Sequence, residues 1–137
     1  MLFAAGATAA LAAAAYLNCT LAAGAPAPEI DYSDFDDDLM RSMDDAIKDL
    51  DSSVGGRDAD AALANAAVLR DGLSWAEQYF TKKPEAPLGA GFAREGQEHL
   101  AALTKAIEAR DFDAASGNVR AVVKNCKSCH EAYKPPD

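Results

Sequence analysis

Residues 34–56 read DFDDDLMRSMDDAIKDLDSSVGG. The apolar positions Phe35, Leu39, Met40, Met43, Ile47, Leu50 and Val54 recur at spacings of three and four, which draws one continuous stripe along a helix. Asp36, Asp37 and Asp38 fall in the first turn, where carboxylates favour the positive end of the helix dipole. Gly55 and Gly56 stop the pattern. The spacing predicts a helix from about Asp34 to Ser53 with one buried face.

A helix with one apolar stripe needs partners, and the downstream sequence supplies three. A second pattern runs from about Asp58, a candidate N-cap, to Phe80, with Leu63, Ala66, Ala67, Leu69, Leu73, Ala76 and Phe80 on its apolar face. Lys82 and Lys83 suit its C-terminal end, and Pro84 and Pro87 punctuate. A third runs from about Gly89 to Arg110 on Phe92, Leu100, Leu103 and Ile107. A fourth runs from Asp111 to about Tyr133 on Phe112, Ala115, Val119, Val122 and Cys126, and Pro135 and Pro136 end it. No segment alternates with period two. Short loops join helices one and two, and helices three and four, and short loops make antiparallel neighbours. The expected fold is all-α, an antiparallel up-down-up-down four-helix bundle over residues 34–134.

Alanine dominates the hydrophobic half of the 137 residues. Such a chain favours closely packed helices but has few large core side chains. A prosthetic group in the middle of the bundle would supply the missing apolar surface. The formal charge is −9, the wrong sign for nucleic acid; it reads as a soluble, mutually repelling surface, with an acidic docking face for a basic redox partner as the alternative. The acidic runs Asp36–Asp38 and Asp44-Asp45 read as solvated helix faces. Lys124, Lys127 and Lys134 form a local exception, a basic spot on an acidic protein that could receive a partner.

Upstream, residues 2–25 carry no charge and are mostly Ala, Leu and Gly, ending in small residues. Residues 1–25 read as a secretory signal peptide, although the usual positive start is missing. A retained N-terminal membrane anchor through residues 2–22 is the competing reading. Cys19 is a poor lipidation site because Asn18 stands where a small residue belongs. Residues 26–33 (PAPEIDYS) read as a linker.

The fourth helix also carries chemistry. Cys126-Lys127-Ser128-Cys129-His130 fits C-x-x-C-H, the haem attachment pattern. Two thiols must reach the two vinyl groups of one haem, and an imidazole must reach its iron. On a helix, positions i, i+3 and i+4 share a face. That face is expected to continue the stripe through Val119, Val122 and Val123, so one covalent haem c would lie inside the bundle with His130 as its proximal iron ligand. A redox-active C-x-x-C pair belongs at a helix N-terminus near a βαβ unit; here it ends a helix in an all-helical chain. A zinc site would need a fourth ligand, and the only other histidine is His99. With Cys19 set apart in the leader, a disulfide framework is not the natural reading of three cysteines.

The helical rhythm, the export signal and the closing run CKSCHEAYK together resemble the class II c-type cytochromes, the cytochrome c prime group. In that family's closing motif an aromatic and a basic residue follow the histidine by three and four positions, here Tyr133 and Lys134; the family more often has Arg at the second place. The resemblance covers about residues 33–134, and its specific element is the haem motif. It implies a distal haem face lined by the first helix. Some members place a methionine there and are one-electron carriers; others leave the iron open to nitric oxide or carbon monoxide. Aligned on the Gly55-Gly56 turn, Met40 stands at the distal ligand position, with Met43 one turn on as the alternative. Both could instead be flexible core filler. His99 is a third candidate for the iron. Trp75, Tyr79 and Phe80 read as core or rim packing, with contact to the haem as the alternative.

The expected function is a periplasmic electron carrier with His/Met-ligated haem, serving redox protein partners rather than acting as an enzyme. The rival is a five-coordinate gas-binding protein. A homodimer through the first two helices is a further implication of the resemblance.

Overall fold

In the computed structural model the described residues are 29–133, and they form four helices: α1 (Asp37–Gly55), α2 (Ala59–Thr81), α3 (Gly89–Glu108) and α4 (Phe112–Tyr133). Each packs antiparallel against the next, and α4 closes the ring more sparsely against α1. The expected four-helix bundle is the fold.

Three of the four helices start on an aspartate. Asp36 accepts from the Leu39 N–H at 2.9 Å, Asp58 from Ala61 at 3.1 Å and Asp111 from Ala114 at 3.0 Å. Each cap satisfies a backbone donor that the first turn leaves free. Asp36 is therefore the N-cap of α1 and not part of its first turn, and α1 starts three residues later than the stripe alone implied. The exception is α3, whose N-cap Leu88 has no side-chain oxygen. Its N–H instead donates to the Tyr133 hydroxyl at 3.2 Å.

The two short turns share one geometry. After α1, Arg57 N–H donates to Val54 O and Asp58 N–H to Ser53 O; after α3, Arg110 N–H donates to Ile107 O and Asp111 N–H to Ala106 O. These are paired Schellman bonds that close the orphan carbonyls of each helix. In both, the left-handed residue is an arginine, Arg57 at φ 58° and Arg110 at φ 59°. Gly55 and Gly56 end α1 as expected, yet Gly56 sits at φ −78°, so the conformation that favours glycine falls one residue later.

The hairpin end of the bundle is packed solid. Leu50, Leu69, Leu103, Ile107, Val119 and Val122 are fully buried there, while Ala62, Ala66 and Ala115 let the helix axes approach. Val123 is a correction: it is 46 % exposed, because the inward stripe of α4 passes from Val122 to Asn125.

The opposite end is tied by residues 29–36, which do not run free as a linker there. Tyr32 donates to the Tyr133 carbonyl at 2.6 Å, and Tyr79 donates to the Asp31 carbonyl at 3.1 Å. Lys83 pairs with Asp34 at 2.8 Å. Phe35 sits edge-on to Trp75 and Tyr79, with centroids at 5.4 and 5.1 Å. Engaged in these contacts, Asp34 and Phe35 cannot also be the first turn of α1. No helix among the described residues is long and apolar enough to cross a membrane. The expected leader 1–25 and Lys134 lie outside the described residues.

Candidate cofactor site

The last turns of α4 bring Cys126, Cys129 and His130 onto one side, as their spacing requires, and all three line a cavity of about 350 Å³. Lys127 and Ser128 do not line it. The facing wall is α1, which contributes Met40 and Met43. Leu73, Ala76 and Phe80 of α2 and Phe92 and Ala93 of α3 complete an apolar lining. The cavity occupies the loop end of the bundle, capped by the aromatic cluster of the 29–36 strap. His130 and Asp37 are exposed at its rim, while both cysteines are half-buried.

Two glycines shape the walls. A Cβ at Gly72 would collide with the Met43 thioether, and a Cβ at Gly89 would collide with the Phe80 ring. Their bare Cα atoms let these side chains lie flat against neighbouring helices. Met43 is thereby packed into the core, 7 % exposed, whereas Met40 is half-buried.

Both cysteines are free. Burial raises the Cys126 thiol, and burial together with the neighbouring Cys126 pushes Cys129 up to about 11. Both are neutral thiols near pH 7, the opposite of the lowered pKa that a redox-active pair needs. Among the described residues no group of three His, Cys, Asp or Glu side chains converges as a metal-ion site. His99 does not line the cavity; its Nε2 faces Glu95 of the same helix at 3.7 Å. Trp75 and Tyr79 also stay outside, stacked on each other with centroids at 5.1 Å, while Phe80 does line the cavity.

One polar group inside was not foreseen. Asn125 is 6 % exposed, lines the cavity, and its Nδ2 has no hydrogen-bond partner. Such a buried donor costs roughly 1–3 kcal/mol unless something accepts from it. An apolar slot, two neutral thiols and an imidazole on one helix, two thioethers on the facing one and a spare donor inside suit a planar, mostly apolar cofactor with few polar atoms. The residues fit a covalently held haem.

Residues 32–134 match the protein family described as Cytochrome C'. The chain belongs to this family. Membership implies covalently bound haem c, and cytochromes of the family are typically periplasmic and often dimeric. Comparison with curated proteins and with solved structures finds no match.

Some residues of this cytochrome site escaped the sequence reading. Gly72 and Gly96 stand inside helical patterns, and an interior glycine signals close approach of another element. Asn125 continues the inward run Ala115, Val119, Val122 at a spacing of three; a polar residue on an apolar stripe was the available sign.

Proposed function

We propose that this protein is a periplasmic one-electron carrier, with one haem c bonded to Cys126 and Cys129 and ligated by His130 and Met40. The observation that carries the reading is that Met40 and His130 line one cavity from facing helices, on either side of a slot walled by apolar side chains. Met43 lines it too, but its thioether is engaged against Gly72, which supports Met40 as the distal ligand.

The chain's own residues have three tasks. Cys126 and Cys129 would hold the haem through two thioether bonds, each thiol adding to one vinyl group. His130 and Met40 would ligate its iron. The apolar walls exclude water, which disfavours the extra positive charge of the oxidised state and raises the potential, as does thioether ligation relative to a second imidazole. A haem so held supplies a reversible ferric/ferrous couple. With both ligands in place the iron would have no site left for a substrate, so the protein would carry electrons rather than act as an enzyme.

The test is the ferric absorption spectrum of the mature protein. Met ligation gives a weak far-red sulfur-to-iron charge-transfer band that is lost in Met40→Ala and kept in Met43→Ala. A high-spin ferric spectrum in the unaltered protein, with rapid and tight carbon monoxide binding to the ferrous form, would replace the carrier by the gas-binding reading. A protein that matures without pigment would defeat both.

A further inference from the structure

Charge is distributed unevenly over this acidic chain. α1 carries six aspartates against Arg41 and Lys48. On α4 the balance reverses: Arg120, Lys124 and Lys127 face only Asp113 and Glu131. The three cations, at spacings of four and three, share one face of the helix. They border a second hollow, a groove of about 540 Å³ along the sparse α1–α4 seam, which Lys48 enters from the other side. Val123 and Ile47 lie in its floor, and Val123 is one of few large apolar side chains exposed among the described residues. The single acid lining the groove is Asp51.

These cations are weakly committed. Lys127 reaches Glu131 only at 3.8 Å, with both side chains well exposed, and such a pair contributes little. Arg120 donates to the Ser116 hydroxyl, and Lys124 has no ion pair among the described residues. Lys48 is held by Asp44 at 2.6 Å and also reaches Asp45 at 3.7 Å, so the uncommitted positive charge of the groove lies on its α4 side. An exposed apolar floor inside a charged rim is the anatomy of a protein interface. The small size of the groove suits a transient encounter such as electron transfer, where steering by charge sets the on-rate.

Resting on the carrier reading above, we propose that the α1–α4 groove is the docking face for the redox partner, and that this partner is a protein presenting an acidic surface. The position fits the task. Val123 lies one helical turn before Cys126 and Lys127 directly follows it, so a partner seated here rests on the helix that holds the cofactor. The local positive field acts against the net charge of −9 and turns the approaching molecule so that this face leads.

The test measures oxidation of the ferrous holoprotein by hexacyanoferrate(III): one electron leaves the haem and ferricyanide becomes ferrocyanide. Net charge alone predicts repulsion and a rate that rises with added salt. The docking face predicts the reverse: a rate that is highest at low salt and falls as ionic strength increases. The double variant Arg120→Glu, Lys124→Glu should slow the low-salt reaction about tenfold. Arg70→Glu, Lys105→Glu changes net charge equally but lies elsewhere, and should slow it far less. Polyglutamate should compete with ferricyanide at low salt.

A rate that rises with salt, or equal slowing by both double variants, would overturn the docking face while leaving the carrier reading intact. Salt-suppressed oxidation without competition by polyglutamate would mean that the groove takes small anions, not an acidic protein. A chain that matures without a reducible pigment would remove the carrier reading and the docking face with it.

Discussion

Gly96 on α3 faces Asn125 on α4 so closely that a Cβ at position 96 would stand 2.8 Å from Asn125 Oδ1 and 2.9 Å from a Leu73 methyl. Three helices meet at this point, directly beneath the cavity. The absent side chain is what allows a carboxamide to be buried there.

Gly96→Ala should therefore destabilise the protein, by about 1–2 kcal/mol, because overpacking outweighs the better helix propensity of alanine. Gly91 is the internal control. It lies on the same helix with nothing within 4 Å of its would-be Cβ, so Gly91→Ala should stabilise by roughly 0.5–1 kcal/mol. Denaturant midpoints of the two variants should move in opposite directions; movement in the same direction would refute the close approach at Gly96.

The two left-handed arginines give a second pair. Arg110→Gly removes a side chain from a conformation that disfavours one, and should stabilise by about 1 kcal/mol. Arg57→Gly should stabilise less, because the Arg57 guanidinium also lies 5.9 Å from the centre of the Phe112 ring and a cation–π contact of roughly 0.5–1 kcal/mol goes with it. Thermal melting of both variants checks the order.

The strap over the cavity should open at both extremes of pH. The hydrogen bond and charge of Lys83 hold Asp34 below its ordinary 3.8, and Asp34 holds Lys83 above its ordinary 10.5. A lowered carboxyl stabilises above its unfolded value and loses that contribution as pH falls through the folded one. A raised amine stabilises below its unfolded value and loses that contribution as pH climbs through the folded one. The strap is thus fully tied between about pH 4 and pH 10. Trp75, the chain's single tryptophan, touches Phe35 of the strap, so its fluorescence should change below and above that window. Lys83→Met should flatten the acid limb but the alkaline limb less, because the Tyr79 hydroxyl, raised above its ordinary 10.0 by burial, still loses its proton there.

Much of this architecture is written in local pattern. The period of the apolar residues located all four helices, because each buries one face and only one. Asp58 announced its helix by the chemistry of an N-cap, and the C-x-x-C-H spacing put Cys126, Cys129 and His130 on one side of α4, where all three line the cavity. What the pattern could not carry was tertiary. The start of α1 moved because Asp34 and Phe35 are engaged by Lys83, Trp75 and Tyr79, residues forty or more positions away. Val123 turned outward and Asn125 inward because α4 faces α3 as well as α1, and a helical wheel fixes angles between residues but not where the neighbouring helices stand. The different packing of Met40 and Met43 depended likewise on Gly72, a contact between helices that no single-helix periodicity contains.

Gly72 offers a direct handle on that choice. Its Cβ would strike the Met43 thioether, and Met43 has soft torsions, with the cavity on its open side. In Gly72→Ala the thioether should swing into the cavity instead of forcing the helices apart. The gain in helix propensity, about 1 kcal/mol, then offsets most of the packing loss, and the melting midpoint should shift by no more than about 5 °C. The spectrum should not be so indifferent, since a second sulfur now competes for the space in front of His130. A changed far-red band with a nearly unchanged midpoint is the expected result. A large drop in midpoint with an unaltered band would show instead that Met43 is fixed in place and that α1 and α2 had to separate.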